Sequence, residues 1–223
     1  MLYVTGDLHG DLSRLTHNRK LKKGDTLLVL GDFGMLWYGD KRDERALKRL
    51  RRLKYTLLFL DGVHENYTLL DKLEPVDYAG GTADKLADNL YHLRRGELYT
   101  IENKRVFTFG GGEAENEWEF RADRGTHWER QMPSAEEMTH GLQTLEAAGN
   151  RVDIIATHSP SGKSNGYFGS RHGDDARNGG VQIYLNRLED TVSFDHWYFG
   201  SVHTDRPLGS RHTAVFEAII PIE

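Results

Sequence analysis

Aspartate or histidine follows a short apolar run at five places in this chain of 223 residues, in most cases beside a glycine. Carboxylate oxygens and imidazole nitrogens bind divalent metal ions, and neighbouring glycines let the backbone turn sharply so that such side chains can converge. If the apolar runs are strands of an open α/β sheet, these side chains gather beyond the strands' carboxyl ends, where such folds bind ligands. The pattern therefore predicts a divalent metal centre. The five segments are residues 6–11, 31–34, 61–66, 157–158 and 200–203.

The composition narrows which groups can hold such a metal. The chain has no cysteine, so thiolate sites and disulfides are excluded, and histidine, carboxylate or amide groups must supply the ligands. The net charge of −5 gives no overall basic field, which argues against extended contact with nucleic acid or an anionic membrane. The chain shows neither a signal-peptide pattern nor an apolar run of roughly 18 residues that could span a membrane. We therefore expect a cytoplasmic protein.

The first third of the chain alternates apolar runs with amphipathic segments, the pattern of repeated βαβ units. Strands are predicted at residues 2–5, 26–30 and 55–60. Helices are predicted at residues 11–20, 43–53 and 65–73, the last ending before Pro75. Such repetition of βαβ units predicts a parallel sheet with right-handed crossovers.

The rest of the chain mixes short strands and helices with two polar stretches. Strands are predicted at residues 91–93, 98–102, 105–109, 151–157, 197–199 and 214–220, and helices at 134–149 and 181–188. Ser134 and Glu137 predict a capping box at the start of the first of these helices. The stretches 113–131 and 159–180 are predicted as loops, and Trp118, Phe120 and Trp128 are expected to pack the first of them. With no linker or repeat apparent, we expect one domain over residues 1–223.

Most of the motifs have a structural explanation when each is taken alone. Asp32 after a glycine is typical of a helix cap, His64 suits the start of a helix, and His158 suits a core histidine bonded to a carbonyl. Only Asp7 and His9, two residues apart at a strand end, favour chemistry on their own. The occurrence of all five motifs in order at strand ends outweighs the separate explanations.

Taken in order, the motifs resemble those of the calcineurin-like metallophosphoesterase superfamily. The family pattern is D-x-H, then G-D, then G-N-H-E or G-N-H-D, then a lone histidine, then G-H-x-H; here it spans residues 7 to 203. The resemblance implies an α/β fold, a β-sandwich flanked by helices in four αββα layers with mostly parallel core strands. It also implies a hydrolase that cleaves phosphate esters with a hydroxide generated at the metal, as a phosphatase or a phosphodiesterase.

The resemblance implies four ligands for a first metal ion. They are Asp7 and His9 from D-x-H, Asp32 from G-D and His203 from the last motif, and all four are present. The family's metals are divalent, and Mn²⁺ is the ion expected first, with Fe, Zn²⁺ or Co²⁺ as alternatives and one or two ions per chain.

A second metal ion in the family uses the bridging aspartate and three further ligands. Here Asp32 and His158 are present, but Val63 stands in place of the asparagine and Ser201 in place of the first histidine of G-H-x-H. Valine has no donor atom and a serine hydroxyl is a poor ligand. The resemblance therefore implies a mononuclear or weakened dinuclear centre. The replacement ligands considered are Asp61, Asn66 and water.

The resemblance also assigns catalytic roles. His64 matches the family histidine beside the phosphate, where it stabilises charge or protonates the leaving oxygen, and Asp32 fixes the geometry. Glu65 is expected to orient His64. The loop 159–180 is expected either to be a disordered excursion or to contact the substrate. Its candidate contacts are Lys163, Arg171, His172 and Arg177.

Three functions follow from these motifs. The first is hydrolysis of a phosphorylated small molecule or phosphoprotein. The second, suggested by Val63 and Ser201, is a degenerate family member that binds a phosphorylated ligand or partner protein without turnover. The third is a nuclease or RNA-processing enzyme, which the net charge of −5 disfavours. The motifs do not choose the substrate or the oligomeric state.

Overall fold

Two β-sheets form the centre of the fold in the computed structural model, which describes residues 1–113, 128–168 and 179–222. The strands are β1 (Leu2–Thr5), β2 (Thr26–Val29), β3 (Thr56–Phe59), β4 (Glu74–Tyr78), β5 (Gly81–Ala87), β6 (Leu90–Leu93), β7 (Glu97–Ile101), β8 (Lys104–Phe109), β9 (Ile154–Thr157), β10 (His196–Phe199), β11 (Arg206–Leu208), β12 (His212–Ala214) and β13 (Ile220–Pro221). The helices are α1 (Leu12–Thr16), α2 (Lys41–Leu50), α3 (Tyr67–Leu70), α4 (Ala135–Ala147), α5 (Gly162–Asn165) and α6 (Gly180–Thr191). Short 3₁₀ turns lie at Glu129–Gln131 and Gly166–Phe168.

Both sheets have parallel strands at their centre and antiparallel strands at their edges. The first runs in the order β13-β1-β2-β3-β6-β5-β4, with β1, β2, β3 and β6 parallel. The second runs β11-β12-β10-β9-β8-β7, with β12, β10, β9 and β8 parallel. Neighbouring parallel strands end on the same side of their sheet, so the loops after β1, β2 and β3 lie together, as do those after β9 and β10.

The strands bury residues on both of their faces, which explains their continuous apolar runs. One set of alternate residues fills the space between the sheets, where Leu28 and Leu58 of the first sheet belong to the same cluster as Ile154 of the second. The opposite face of the first sheet packs under α1, α2 and α3, and that of the second packs under α4 and α6. The predicted four-layer α/β sandwich with a mostly parallel core is confirmed.

The helix ends follow from local capping. Ser134 and Glu137 form the predicted capping box of α4, with the Ser134 hydroxyl accepting the Glu137 N–H and the Glu137 carboxylate accepting the Ser134 N–H. The helix expected over 65–73 is shorter, because Asn66 caps it and α3 ends at Leu70.

None of the helices in the described residues has the length and apolar composition needed to cross a membrane.

Two parts of the sheets differ from the expectation. Residues 74–87 form the antiparallel hairpin β4–β5, which was not predicted because Pro75 and the neighbouring polar residues do not give a strand pattern. The turn of this hairpin has left-handed backbone at Ala79 and Gly80. The single strand expected over 214–220 is wrong. β12 ends at Ala214 in the second sheet, whereas β13 begins at Ile220 in the first.

The two polar stretches are partly described. Trp128 lies edge-on to Trp37 with ring centroids 5.7 Å apart, so it packs against the segment after β2. Lys163 lies in α5 and forms an ion pair with Asp190. The remaining candidates from these stretches, Trp118, Phe120, Arg171, His172 and Arg177, lie outside the described residues.

Candidate metal centre

The loops after five parallel strands bring the sequence-predicted site residues together. Asp7 and His9 follow β1, Asp32 follows β2 and His64 follows β3, all in the first sheet, while His158 and His203 follow β9 and β10 in the second. The backbone N–H groups of Leu8 and His9 both donate to the carbonyl of Asp32, at 3.1 and 2.8 Å, which joins the first two loops. The site therefore lies where the carboxyl ends of the two sheets meet.

Asp7, His9 and His203 form one close group of metal-ligand donors. The Nε2 atom of His203 lies 3.1 Å from Oδ2 of Asp7 and 3.2 Å from Nε2 of His9, and His9 Nε2 is 4.0 Å from the same carboxylate oxygen. Ligands that share one ion through bonds of about 2.1 Å are separated by about 3 to 3.5 Å. The donor types fit a divalent ion, and so do the spacings of 3.1 and 3.2 Å from His203 to the other two residues.

The two imidazoles of this group have opposite pKa shifts. Burial lowers the pKa of His9, whereas the adjacent Asp7 carboxylate raises the pKa of His203. Two imidazole nitrogens 3.2 Å apart cannot both carry a proton on the atoms that face each other. At least one of the two facing nitrogens therefore presents a lone pair, as a metal ligand must.

Asp32 lies beside this group and bonds to His64. Its Oδ1 accepts the backbone N–H of His64 and its Oδ2 accepts the Nδ1–H, both at 2.7 Å. Oδ2 is also 3.8 Å from Nδ1 of His9, and Oδ1 is 3.8 Å from Nε2 of His158. Burial alone would raise the pKa of Asp32, but the charge of His158 and the hydrogen bonds from His64 outweigh it, so the pKa lies well below its usual range and the group is an anion.

His158 is fully buried and oriented for a ligand. Its Nδ1–H donates to the carbonyl of Leu30 at 2.9 Å, which fixes the tautomer and directs Nε2 towards Asp32. Among the described residues, neither this Nε2 nor Oδ2 of Asp7 has a hydrogen-bond partner. Buried polar atoms without partners are costly, and binding a metal ion would satisfy each of them.

Left-handed backbone marks the site residues. The φ angles are 45° at His9, 47° at Asp32, 66° at Ser201 and 48° at His203. Such angles are uncommon outside glycine, and residues held in them cluster at functional sites. Close packing adds a second constraint, because a Cβ on Gly31 would overlap the imidazole of His158.

Comparison with known families agrees with this arrangement. A family model described as calcineurin-like phosphoesterase matches residues 1–205, which is most of the chain and includes every residue of the site. The chain belongs to the calcineurin-like phosphoesterase family. Membership indicates metal-dependent hydrolysis of phosphate esters, and the Asp and His groups above agree with divalent metal binding. No curated protein matches the chain.

Two ligand positions of this phosphoesterase differ from the family motifs. The backbone N–H of Ser201 donates to Oδ1 of Asp7 at 3.0 Å, so this residue supports a ligand through its main chain. Neither residue considered as a replacement side-chain ligand is available. Asp61 bonds to Arg95 at 2.8 Å and Tyr67 at 2.9 Å, and Asn66 caps α3. Val63 adds no donor atom, so Asp32 and His158 remain of the four ligands that the resemblance implies for a second ion.

Glu65 supports the site in a different way from the one expected. Rather than orienting His64, its buried carboxylate accepts the N–H groups of Phe33 and Gly34, at 2.5 and 3.4 Å. These amides directly follow Asp32, so Glu65 fixes the turn that carries this ligand. Burial and the nearby Asp32 charge raise the pKa of Glu65 well above its usual range.

A buried charge network around Asp61 was not predicted from the sequence. Asp61 lies between Arg95 and His92, and His92 bonds to Asp84 on the other side, at 2.9 Å. Burial would lower the pKa of His92, but hydrogen bonds to Asp61 and Asp84 raise it to about 9. The partners are separated by up to 34 residues, so no local spacing signals the network.

Proposed function

We propose that this phosphoesterase hydrolyses phosphate esters at the cluster described above, with a divalent ion held by Asp7, His9, Asp32 and His203. The observation that carries the proposal is the pair of buried atoms without hydrogen-bond partners among the described residues, Asp7 Oδ2 and His158 Nε2, within a group of carboxylate and imidazole donors. The substrate is a phosphorylated small molecule or a phosphoprotein.

The donor set favours one strongly held ion. Histidine and carboxylate ligands suit Mn²⁺, which we propose first, and also Fe, Zn²⁺ and Co²⁺. A second ion at Asp32 and His158 would lack the two side chains that Val63 and Ser201 replace. We therefore propose a mononuclear centre or a weakened dinuclear one.

The chain's own residues supply the acid and the orientation. When bound, a divalent ion supplies a Lewis acid for the phosphoryl oxygens and lowers the pKa of water. Because Nδ1 of His64 donates to the anionic Asp32, we assign proton transfer to the leaving oxygen to the ring's other nitrogen, Nε2. Asp7 and Asp32 offset the positive charge, and both are buried with 1% exposure, which strengthens their electrostatic effect.

Hydrolysis by metal-stripped protein tests the proposal. We expect the rate with bis(p-nitrophenyl) phosphate or p-nitrophenyl phosphate to rise as Mn²⁺ is added, and to vanish in Asp32→Asn. Asp195→Asn is the matched control, because this exposed carboxylate pairs with Arg151 away from the site. Full activity in Asp32→Asn, or activity that does not depend on metal, would contradict the proposal.

The substitutions at Val63 and Ser201 favour a second candidate, a protein that binds a phosphorylated ligand or partner without turnover. The double variant Val63→Asn plus Ser201→His separates the two functions. A large gain in rate over a nearly inactive parent would favour the binding protein. An active parent whose rate changes little would favour the enzyme.

A further inference from the structure

A cavity of about 420 Å³ opens directly beside the candidate metal centre. His9 and His64 form the side that faces the centre, so a phosphate held there would lie next to the cavity. The volume lies within the range of about 300 to 1,000 Å³ that is typical of small-molecule sites. The other walls come from the segment after β2 and the start of α2, and the residues used below are Met35, Trp37, Tyr38 and Arg42.

The aromatic wall of this cavity is held in place by one buried carboxylate. Oδ2 of Asp43 accepts three consecutive backbone N–H groups, from Trp37, Tyr38 and Gly39, at 2.8, 2.8 and 2.7 Å. Asp43 lies in the first turn of α2 and is buried, with 6% exposure. A loop fixed at three successive amides presents its side chains in a defined arrangement before any ligand arrives.

The same wall is tied to the metal centre. Nδ2 of Asn66 donates to the carbonyl of Trp37 at 2.7 Å, and Asn66 lies two residues after His64. The indole of Trp37 is supported edge-on by Trp128, whose own N–H donates to Thr68 at 2.9 Å. The indole therefore keeps a fixed position relative to His64.

A cation completes the wall. The guanidinium carbon of Arg42 lies 3.3 Å from the centroid of the Tyr38 ring, and Asp40 bonds to the same guanidinium at 2.8 Å. An arginine plane stacked on an aromatic ring widens the flat surface, and aromatic rings and guanidinium planes both stack on nucleobases.

We propose that this cavity binds a planar aromatic ring of the substrate, of nucleobase size, while the ester phosphate lies at the metal centre. This inference rests on the proposed function and names the substrate class of that site. The supporting features are the side chains of Met35, Trp37, Tyr38 and Arg42, which line the same cavity as His9 and His64.

A second cavity, lined by the residues around Asp61, offers no comparable surface. It measures about 450 Å³, and its lining includes Arg94, Arg95 and Arg130. These three cations pair with Asp84, Asp61 and Glu137 respectively. The aromatic cavity is therefore the better candidate for recognising a substrate.

Binding of two matched ligands tests the inference independently of turnover. Adenosine 5′-monophosphate and ribose 5-phosphate share the phosphate and the sugar and differ in the base. By calorimetry on the Mn²⁺-loaded protein, we expect the first to bind about 10-fold more tightly, since one base stacked on an aromatic side chain accounts for an effect of this size. In Trp37→Ala the two affinities should become nearly equal, and in Trp37→Phe most of the preference should remain.

Two further variants keep the test decisive. Tyr38→Ala should also reduce the preference, and because Tyr38 is 55% exposed this variant should fold normally. Tyr91→Ala is the control, because Tyr91 stacks on Tyr78 away from the cavity and its loss should leave the preference unchanged. Equal binding of the two ligands by the parent protein, or an equal loss for both in Trp37→Ala and Tyr38→Ala, would overturn the inference.

The same data separate this inference from the proposed function. A base preference that depends on Trp37 in a protein that hydrolyses no ester would support the aromatic site and overturn the hydrolase. Metal-dependent hydrolysis with no preference between the two ligands would support the hydrolase and overturn the aromatic site.

Discussion

Both carboxylate oxygens of Asp32 accept a hydrogen bond from the single residue His64, Oδ1 from its backbone N–H and Oδ2 from its Nδ1, each at 2.7 Å. The residue proposed to hold the metal thus also sets the position and the tautomer of the proposed acid. Gly62 makes this approach feasible, because a Cβ there would overlap the Asp32 carboxylate. The two hydrogen bonds between Asp32 and His64 hold the loop after β2 at a fixed distance from the loop after β3.

The first prediction separates the roles of these two residues. His64→Gln removes the acid but leaves the ligands of the first ion, so we expect kcat to fall by about 10²- to 10⁴-fold while Mn²⁺ affinity is nearly unchanged. Asp32→Asn should lower both. Steady-state kinetics and Mn²⁺ calorimetry on the two variants check this. An equal loss of Mn²⁺ affinity in both variants would show that His64 acts as a ligand instead.

The second prediction concerns the ligand histidines. His203→Ala removes a donor 3.1 Å from Asp7, and we expect Mn²⁺ to bind at least about 10-fold more weakly. His140→Ala is a matched control, since the His140 side chain is 50% exposed and that of His203 is 52% exposed. His140 pairs with Glu97, which is not a site residue. Calorimetry on both variants tests the difference, and equal affinities would exclude His203 as a ligand.

The third prediction concerns the support of the Asp32 turn by Glu65. Glu65→Ala leaves the N–H groups of Phe33 and Gly34 without their buried acceptor, which should lower the free energy of unfolding by about 1–3 kcal/mol. Glu65→Gln keeps an acceptor oxygen and should cost less. Urea unfolding of the three metal-free proteins measures both changes. A Gln variant as unstable as the Ala variant would show that the carboxylate acts by its charge rather than as an acceptor.

Local patterns in the sequence were sufficient to predict the main strands and to place the candidate site residues at their ends, whereas the four-layer arrangement was implied by the family resemblance. Apolar runs predicted β1, β2, β3, β9 and β10, and the motifs at their ends follow them directly along the chain. Parallel pairing then places those ends together without any knowledge of the contacts. The capping box of α4 was predictable for the same reason, since both of its members lie within four residues.

Long-range contacts could not be predicted in this way. The role of Glu65 depends on a turn 31 or more residues earlier in the chain. The anchoring of Trp37 depends in part on Asn66, which lies 29 residues later. Trp37 and Tyr38 follow the G-D motif closely in the sequence, but whether they line a cavity depends on the position of α2 in the fold. The left-handed angles at His9 and His203 likewise belong to the folded site, since most histidines do not adopt them.

The buried network gives the last prediction its physical basis. His92 donates to Asp61 and Asp84, and its pKa of about 9 lies above the ordinary value of 6.5. A histidine whose pKa is raised in the folded state binds its proton more tightly there than in the unfolded chain. Its contribution is therefore complete below pH 6.5 and is lost as the pH rises through about 9.

We therefore expect the metal-free protein to lose stability between pH 7 and pH 10, by about 2 kcal/mol from this group alone. His92→Gln cannot gain a proton, so its free energy of unfolding should be lower at pH 7 and should fall less steeply towards pH 10. Urea unfolding of both proteins at pH 7, 8, 9 and 10 measures the two slopes. His140→Gln, a change at a half-exposed histidine, should keep the parent slope. Parallel curves for the parent and His92→Gln would show that His92 is neutral in the fold and that Arg95 alone balances the charge of Asp61.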